Sequence, residues 1–205
     1  MGKIRQNVEY IMNMNGKKVI LASKSPRRRE LLCKIVETFE VETAEVDESL
    51  PAEIHPRDGV EILAVRKGAP IAARYPDAIV ISSDTLVELD GVALGKPTDE
   101  LDAKRMLRSL SGKAHNVHTG VAIHYMGRAL SGVDSTAVKF REMSDAEIDE
   151  YIAGGEPMDK AGAYGIQGEG GRFVLGYDGR FDTVMGLSVA LVEKLMTDIL
   201  GDCCD

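Results

Sequence analysis

The sequence predicts an α/β fold built on a mixed β-sheet. Short β-like runs alternate with amphipathic segments, which is the pattern of strands connected by helices. Residues 78–81 form a continuous apolar run, which is typical of a strand buried on both faces. Asp90-Gly91 separates two further β-like runs and indicates a two-residue hairpin turn. Part of the sheet is therefore expected to be antiparallel.

The first elements are predicted from residue 18 onward. Val19–Ala22 is β-like, and Ser25-Pro26 then opens a helix, with serine as the N-cap and proline in the first turn. One face of that helix is predicted to be apolar, formed by Leu31, Leu32, Ile35, Val36 and Phe39. A second helix is predicted over residues 57–73, and Pro70 is expected to kink it or end it early.

The remaining chain continues the alternation. Two strands, Thr85–Leu89 and Val92–Leu94, flank the hairpin turn. A helix begins at Thr98, with acids in its first turn as the helix dipole favours, and ends at Ser111-Gly112. Two long strands follow, at His115–Tyr125 and Leu130–Phe140. The next helix, Ser144–Gly154, starts with a capping box, and the final amphipathic helix is Leu187–Leu200.

The composition is that of one globular domain. The chain has 205 residues, of which 44% are hydrophobic and 28% charged, so it is long enough for a substantial core. Its formal net charge is −8. This charge argues against nonspecific binding to nucleic acid or to a membrane surface, because such proteins carry a basic face. A net charge of this sign is compatible with a local basic cluster that binds a small anionic substrate.

The domain organisation follows from the polar start of the chain. Residues 1–17 are interpreted as a flexible extension, and residues 18–205 as a single domain. The first residues lack the apolar segment of a secretory signal, and the longest apolar runs are too short to span a bilayer. The three cysteines, two of them adjacent at Cys203-Cys204, do not make a disulfide framework or a zinc site. A cytoplasmic location is therefore expected.

A basic segment between the first strand and its helix is the first candidate site. Ser23–Arg29 contains three consecutive arginines. A cation in the first turn of a helix opposes the helix dipole, at a cost of about 0.3–1 kcal/mol at an exposed site. A phosphate bound at the helix N-terminus would reverse the sign of that cost. The alternative is three solvated arginines on a surface helix.

A polar segment after the buried apolar run is the second candidate site. Ser82–Thr85 places Asp84 at the predicted carboxyl end of a strand, where ligands gather in open α/β sheets. Asp84 could bind a divalent metal or activate a water molecule. The alternative is an aspartate that starts a turn.

Two lysines and a glycine-rich segment are weaker candidates. Lys67 and Lys96 could each neutralise a phosphate, or could simply be solvated. The glycines of Asp159–Gly171 allow close approach to a ligand, although the spacing is not that of a dinucleotide fingerprint or a P-loop. Gln167 in this segment can match the N3–H and O4 edge of uracil or thymine, or can bond to the backbone.

The histidines and one acidic pair show no specific motif. Asp47-Glu48 could be metal ligands or part of a solvated loop. None of the four histidines has the context of a metal motif. His55 lies outside the predicted strands, and the other three, His115, His118 and His124, lie within them and are interpreted as structural or surface groups.

Several of these segments together resemble the Maf family of nucleoside triphosphate pyrophosphatases. The resemblance runs from Lys18 to about Leu195 without large gaps. It rests on five segments in chain order, which are Leu21–Leu32, Ser83–Thr85, Gly95–Pro97, Leu107–Gly112 and Asp159–Gly168. Within the last of these, Tyr164–Gly168 is similar to the branch of the family that acts on dTTP and UTP.

The resemblance implies hydrolysis between the α and β phosphates, which releases a nucleoside monophosphate and pyrophosphate. It also implies an elongated mixed β-sheet flanked by helices, with two lobes around a central cleft as in inosine triphosphatases, and usually a homodimer. Matched by motif, Asp84 takes the position of the general base. Base selection is implied for Arg27, Thr85 and Gln167, and phosphate binding for Ser23, Arg28, Lys67 and Lys96. Glu48 with Asp84 would hold a divalent cation, Mg²⁺ or alternatively Mn²⁺.

The chain departs from the family pattern at three places. Lys24 stands where a small residue is common, which is expected to add one positive charge near the phosphates. Gly186-Leu187-Ser188 replaces the usual Gly-Leu-Pro, which is expected to loosen the start of the last helix. Ser82-Ser83 stands where small nonpolar residues are more usual. Two other functions stay open from the sequence: a hydrolase of damaged or modified nucleotides, and a nucleotide-binding regulator of cell division in which hydrolysis is incidental.

Overall fold

A computed structural model describes residue 12, residues 16–51 and residues 53–201. Met12 is the one such residue before Gly16, and its backbone N–H donates to the carbonyl of Ile35 at 2.8 Å. The other parts of the predicted extension, residues 1–11 and 13–15, and the predicted Cys203-Cys204 pair lie outside the described residues.

Strands and helices alternate along the described chain. The strands are β1 (Val19–Leu21), β2 (Glu40–Val41), β3 (Ile79–Leu89), β4 (Val92–Leu94), β5 (Ala114–Tyr125), β6 (Arg128–Phe140) and β7 (Val174–Asp178). The helices are α1 (Pro26–Leu32), α2 (Pro56–Arg74), α3 (Glu100–Leu110), α4 (Asp145–Ala153), α5 (Phe181–Met185) and α6 (Val189–Gly201). None of these helices combines the length and the apolar character needed to cross a membrane.

One mixed sheet connects all the strands, in the order β2-β1-β3-β5-β6-β7. In this order β2, β1 and β3 are parallel to one another, and the pairings from β3 to β5, β5 to β6 and β6 to β7 are antiparallel. Strand β4 is outside this order and pairs antiparallel with β3. On one edge, β3 pairs with β1 through residues 79–81 and with β4 through residues 87–89. Between these pairings, no strand in the described ranges covers residues 82–86 on that edge. The sheet therefore has a gap in the middle of β3.

Two of the three core clusters among the described residues lie at the two ends of β3 on either side of this gap, as the predicted two lobes require. One of the two joins β1, α1 and α6 to the first half of β3, with Leu21, Ile81 and Met196 at its centre. The other joins α3 and α4 to the second half of β3, with Leu107 and Phe140 at its centre. The third cluster joins α2 to β1 and β3 through Ile20, Ile71 and Val80. The predicted α/β architecture with two lobes is confirmed.

Helix α2 packs on the opposite face of the sheet at glycine contacts. A Cβ atom on Gly120 of β5 would lie 2.2 Å from the carbonyl oxygen of Val60. A Cβ atom on Gly68 would lie 2.6 Å from the hydroxyl oxygen of Ser82. The helix and the sheet thus approach each other more closely than a side chain at either glycine position would permit.

Of the two alternatives predicted for Pro70, an early end of α2 is wrong, since the helix continues to Arg74, and a kink stays a prediction. A proline inside a helix removes one backbone hydrogen bond and crowds the preceding turn. Here the next residue, Ile71, is completely buried against β1 and β3. Burial of that side chain offsets the cost of the proline, because it stabilises the helix by about 1.5–3 kcal/mol.

The local turn and cap predictions are largely confirmed. The predicted turn at Asp90-Gly91 has φ angles of 53° and 80°, as a two-residue hairpin turn requires. The turn between β5 and β6, at Met126-Gly127, has similar angles of 50° and 74°. The capping box of Ser144 and Glu147 is present at the start of α4. Helix α1 is shorter than predicted, because the chain leaves the helix after Leu32, although the apolar residues that follow it still enter the core.

The three strand histidines are buried structural groups, as predicted. His118 contacts the Glu88 carboxylate through Nε2 and the Ser135 hydroxyl through Nδ1, both at 2.7 Å. His124 packs at Gly68 under α2. His115 shares a bond of 2.8 Å with the hydroxyl of Tyr164 inside an aromatic group.

His115 should make the stability of the fold depend on pH. Burial lowers the pKa of His115 to about 4, so the folded protein holds it neutral, whereas the unfolded chain takes up its proton near pH 6.5. Its contribution to stability is therefore full above pH 6.5 and is lost as the pH falls toward 4, by about 3 kcal/mol. Urea unfolding of the wild type and of His115→Phe between pH 8 and pH 4.5 measures this as a pH-dependent difference. Parallel stability curves would contradict it.

Candidate active site

A cleft of about 1020 Å³ opens at the gap in β3 between the core clusters at the two ends of this strand. Its walls come from the β1–α1 connection, α2, the middle of β3, the β4–α3 connection, residues 159–167 and the turn before α6. Six basic and four acidic side chains line it, namely Lys24, Arg27, Arg28, Lys67, Lys96 and Lys160 with Glu45, Glu48, Asp84 and Asp159. In a chain with a net charge of −8, this excess of cations marks an anion-binding site.

Asp84 lies in the middle of a strand, so its predicted position at a strand end is wrong. Ser82–Thr85 looked like the end of a strand because polar residues follow the apolar run. In the fold each of these hydroxyls is satisfied internally: Ser82 Oγ donates to the carbonyl of Ala64 at 2.7 Å, and Ser83 Oγ to that of Gly186 at 2.8 Å. The strand can therefore continue through them. Asp84 lines the cleft from the middle of the strand.

Lys67 joins the two carboxylates that were predicted to bind metal. Its Nζ donates to Asp84 Oδ1 at 2.6 Å and to Glu48 Oε2 at 2.8 Å. The Asp84 side chain is 9% exposed and that of Glu48 is 59% exposed. Helix α2, the strand β3 and the loop before α2 thus bring three charged groups to one point. The ammonium group compensates the otherwise costly burial of the Asp84 charge.

Arg28 is fixed by the protein itself. Its guanidinium donates to the carbonyls of Ser83 at 2.6 Å and Gly186 at 2.9 Å, and to the hydroxyls of Thr85 at 3.3 Å and Ser23 at 3.4 Å. Burial lowers the pKa of Arg28, and the nearby Asp84 carboxylate opposes that effect. The guanidinium stays charged. Four of its five N–H groups are therefore engaged in connecting α1 to β3 and to the turn before α6.

Thr85 belongs to the same network on the other face of the strand. Successive side chains of a strand point to opposite faces, so Thr85 faces Arg28 while Asp84 faces Lys67. Thr119 donates to the carbonyl of Thr183 at 2.7 Å, so Thr85 donates to Thr119 at 3.0 Å and accepts from Arg28. The hydroxyl of Thr85 is thus held by protein groups.

Arg27 and Lys96 provide positive charge that can reach a ligand. Arg27 lines the cleft, and its Nε is buried with no hydrogen-bond partner in the part of the chain described. A buried donor without a partner is costly, so a ligand acceptor would stabilise it. Lys96 is exposed at the opposite wall, after β4. Arg29 is exposed and is not among the lining residues, so the basic segment serves the cleft through two of its three arginines.

Gln167 lines the cleft from the glycine-rich segment, where its side chain is exposed. The cleft therefore brings together every residue for which the sequence predicted a site role: Ser23, Arg27, Arg28, Glu48, Lys67, Asp84, Thr85, Lys96 and Gln167.

Gly186 and Thr119 were missed by the sequence reasoning. The carbonyl of Gly186 accepts from both Arg28 and Ser83, and Gly186 has a φ of 112°, which favours glycine. A main-chain oxygen leaves no signal in the sequence. Thr119 did leave one, because it is a polar residue inside a long, otherwise buried strand.

The expected loosening at the start of α6 is corrected by the structure. Ser188 Oγ accepts from the N–H of Leu191 at 3.3 Å, as an N-cap does, and donates to Asp134 Oδ2 at 2.7 Å. Thr183 donates to the same carboxylate oxygen at 3.1 Å. The serine thus anchors the turn that contains Gly186, by bonds that a proline could not make.

The fold and the cleft define an α/β protein with an anion-binding site around one buried carboxylate. The family model described as "Maf-like protein" matches residues 18–199. The chain belongs to the Maf family.

The chain is also similar to curated relatives over most of its length. It is 46% identical over 181 residues to a protein of Moorella thermoacetica named "dTTP/UTP pyrophosphatase", covering 87% of this chain and 93% of that protein. Proteins with the same name from Bacillus cereus and Pelotomaculum thermopropionicum are 46% and 44% identical. These two alignments each cover 88% of this chain, and 90% and 95% of the relatives.

Proposed function

We propose that the protein hydrolyses dTTP and UTP to the nucleoside monophosphate and pyrophosphate. The observation that carries the proposal is the cleft itself, where Lys67 contacts the carboxylate of Asp84 and Arg27 and Lys96 line the same space. A triphosphate needs several cations, and a hydrolase needs a base near them. The names of the relatives from three organisms support the choice of substrate.

The residues present fit a divalent cation that is shared with the substrate. Asp84 and Glu48 point to the same ammonium group, so their hard oxygen atoms meet at one place. Among the described residues no group of three or more His, Cys, Asp or Glu could hold a metal ion alone. Mg²⁺ suits this arrangement, since it is commonly bound by one or two carboxylates and substrate phosphates. Mn²⁺ is the alternative. When bound, the cation would neutralise phosphate charge.

Removal of divalent metal should abolish hydrolysis. With EDTA in excess, we expect turnover of dTTP to fall to the background rate and to return when Mg²⁺ is restored. The measurement is pyrophosphate release at saturating dTTP. Full turnover in EDTA after dialysis against chelator would contradict the proposal of a shared cation. It would not contradict the proposed substrates.

The side chains that line the cleft have different roles in the proposed reaction. Asp84 orients the attacking water and takes its proton, through Oδ2, because Lys67 contacts Oδ1. Arg27, Lys67 and Lys96 neutralise the charge that builds on the leaving pyrophosphate. Arg28 and Thr85 keep β3, α1 and the Gly186 turn in place around the substrate, because their polar groups already bond to one another.

Gln167 accounts for base selection in this proposal. An amide offers a donor and an acceptor to the N3–H and O4 edge of uracil or thymine, whereas cytosine presents the opposite pattern. Leaving such a pair unsatisfied costs about 1–3 kcal/mol. Gln167→Ala should therefore narrow the preference for UTP over CTP by about fivefold or more in kcat/KM. An unchanged UTP/CTP ratio of kcat/KM would show that Gln167 does not select the base.

A panel of triphosphates tests the proposed function. The kcat/KM values for dTTP, UTP, CTP, dATP and GTP are measured with Mg²⁺ by pyrophosphate release, and dTTP and UTP should be preferred. Equal rates for all five would contradict the substrate assignment. The homodimer and the cytoplasmic location expected from the sequence stay predictions.

A further inference from the structure

The loop that carries Gln167 is built around a single carboxylate. Glu156 lies in a short 3₁₀ turn after α4. Its Oε2 accepts from the backbone N–H of Glu169 at 2.8 Å, and its Oε1 accepts from the hydroxyl of Tyr151 at 3.0 Å and from the N–H of Gly170 at 3.5 Å. These contacts fix the chain on the carboxyl side of Gln167.

Tyr151 extends the same anchor to the other side of Gln167. Its hydroxyl donates to Glu156 and accepts from the backbone N–H of Gly165 at 3.2 Å. Burial raises the pKa of Tyr151, so the hydroxyl remains protonated and can donate at neutral pH. Gln167 is thus flanked by two backbone segments that are both bonded, directly or through Tyr151, to one carboxylate.

The glycines of this loop fit the carboxylate. A Cβ atom on Gly168 would lie 2.4 Å from each carboxylate oxygen of Glu156, and one on Gly165 would lie 2.6 Å from Oε1. A Cβ atom on Gly170 would lie 2.6 Å from the hydroxyl of Tyr151. From the sequence, these glycines were interpreted as room for a ligand. In the fold they allow the loop to close around Glu156.

We propose that Glu156 is a positioning residue for base recognition, which holds the 165–170 loop so that Gln167 faces the base. This inference rests on the proposed function. Glu156 does not touch the substrate and acts through the loop. A carboxylate suits this role because it only accepts hydrogen bonds, and two backbone N–H groups and one hydroxyl converge on it. Bonds to a charged acceptor are stronger than neutral ones, so they hold the loop in one geometry.

The variant Glu156→Gln tests the role with the least change in size. The amide nitrogen of glutamine cannot accept a hydrogen bond. Depending on which oxygen it replaces, the variant loses either the bond from Glu169 or the bonds from Tyr151 and Gly170. We expect the kcat/KM ratio of UTP over CTP to fall by about fivefold or more, as for loss of the Gln167 contact itself. Inorganic tripolyphosphate, which has no base, should inhibit the variant as strongly as it inhibits the wild type. The control is Glu169→Gln, the same change at an exposed side chain in the same loop, which should leave the ratio unchanged.

Each result decides the proposal. An unchanged ratio in Glu156→Gln overturns it, and so does a parallel loss of tripolyphosphate inhibition, which would indicate general damage to the cleft. If Glu156→Gln does not fold, Tyr151→Phe decides. It removes the hydroxyl that joins Glu156 to Gly165 but leaves the bonds of Glu156 to the N–H groups of Glu169 and Gly170, so it should lower the same ratio by a smaller factor. Failure of the proposed function is separate, because it appears in the wild type as absence of UTP hydrolysis.

Discussion

Replacing Asp84 by asparagine is expected to lower kcat for dTTP by about 10²–10⁴-fold, the usual contribution of a positioned general base. The amide keeps the size of the side chain but cannot take a proton from water. It also leaves the Lys67 ammonium with Glu48 as its remaining carboxylate contact. The measurement is the steady-state rate of pyrophosphate release at saturating dTTP and Mg²⁺.

The control for this prediction is Asp90→Asn at the end of the same strand. Asp90 is exposed in the hairpin turn, and its φ of 53° is one that asparagine readily adopts. Its turnover should equal that of the wild type. A near-normal kcat for Asp84→Asn with Mg²⁺ saturating would show that another group activates the water.

Gly120→Ala is expected to have the largest effect on stability. The added Cβ would lie 2.2 Å from the carbonyl oxygen of Val60, and a backbone atom cannot turn aside as a side chain can. Helix α2 must shift away from β5, and overpacking of this kind costs about 3 kcal/mol. Urea unfolding at pH 7.5 should show this loss in the free energy of unfolding. Because α2 carries Lys67, the shift should also lower turnover.

Gly176→Ala on β7 is the matched control for this change. No atom lies within 4 Å of the position that its Cβ would take, so its free energy of unfolding should stay within about 0.5 kcal/mol of the wild type. If Gly120→Ala were destabilised no more than Gly176→Ala, the close packing of α2 on β5 would be wrong.

The sequence predicted local elements well where the signal is local. The apolar run before Ser82, the glycine turn after Asp90 and the capping box at Ser144 each depend on residues close in the chain. It failed where distant groups decide. The strand continues through Ser82–Thr85 because α2 and the Gly186 turn supply acceptors, and α2 continues past Pro70 because Ile71 is buried.

The candidate site shows the same division. Its charged lining residues could be predicted, because three consecutive arginines at a helix start and a carboxylate after a buried apolar run are uncommon, and because the resemblance orders them together with the lysines. Their partners could not. The ring of bonds that fixes Arg28 ends on carbonyl oxygens of Ser83 and Gly186, and the loop of Gln167 closes on Glu156 through backbone N–H groups. Main-chain atoms are the same in every sequence, so only the fold can place them.

The position of bond cleavage tests the central claim most directly. Wild-type protein is incubated with dTTP and Mg²⁺, and the products are identified by ³¹P NMR. If Asp84 directs water to the α phosphorus while Arg27, Lys67 and Lys96 hold the leaving group, the products are dTMP and pyrophosphate. Formation of dTDP and inorganic phosphate would contradict this account.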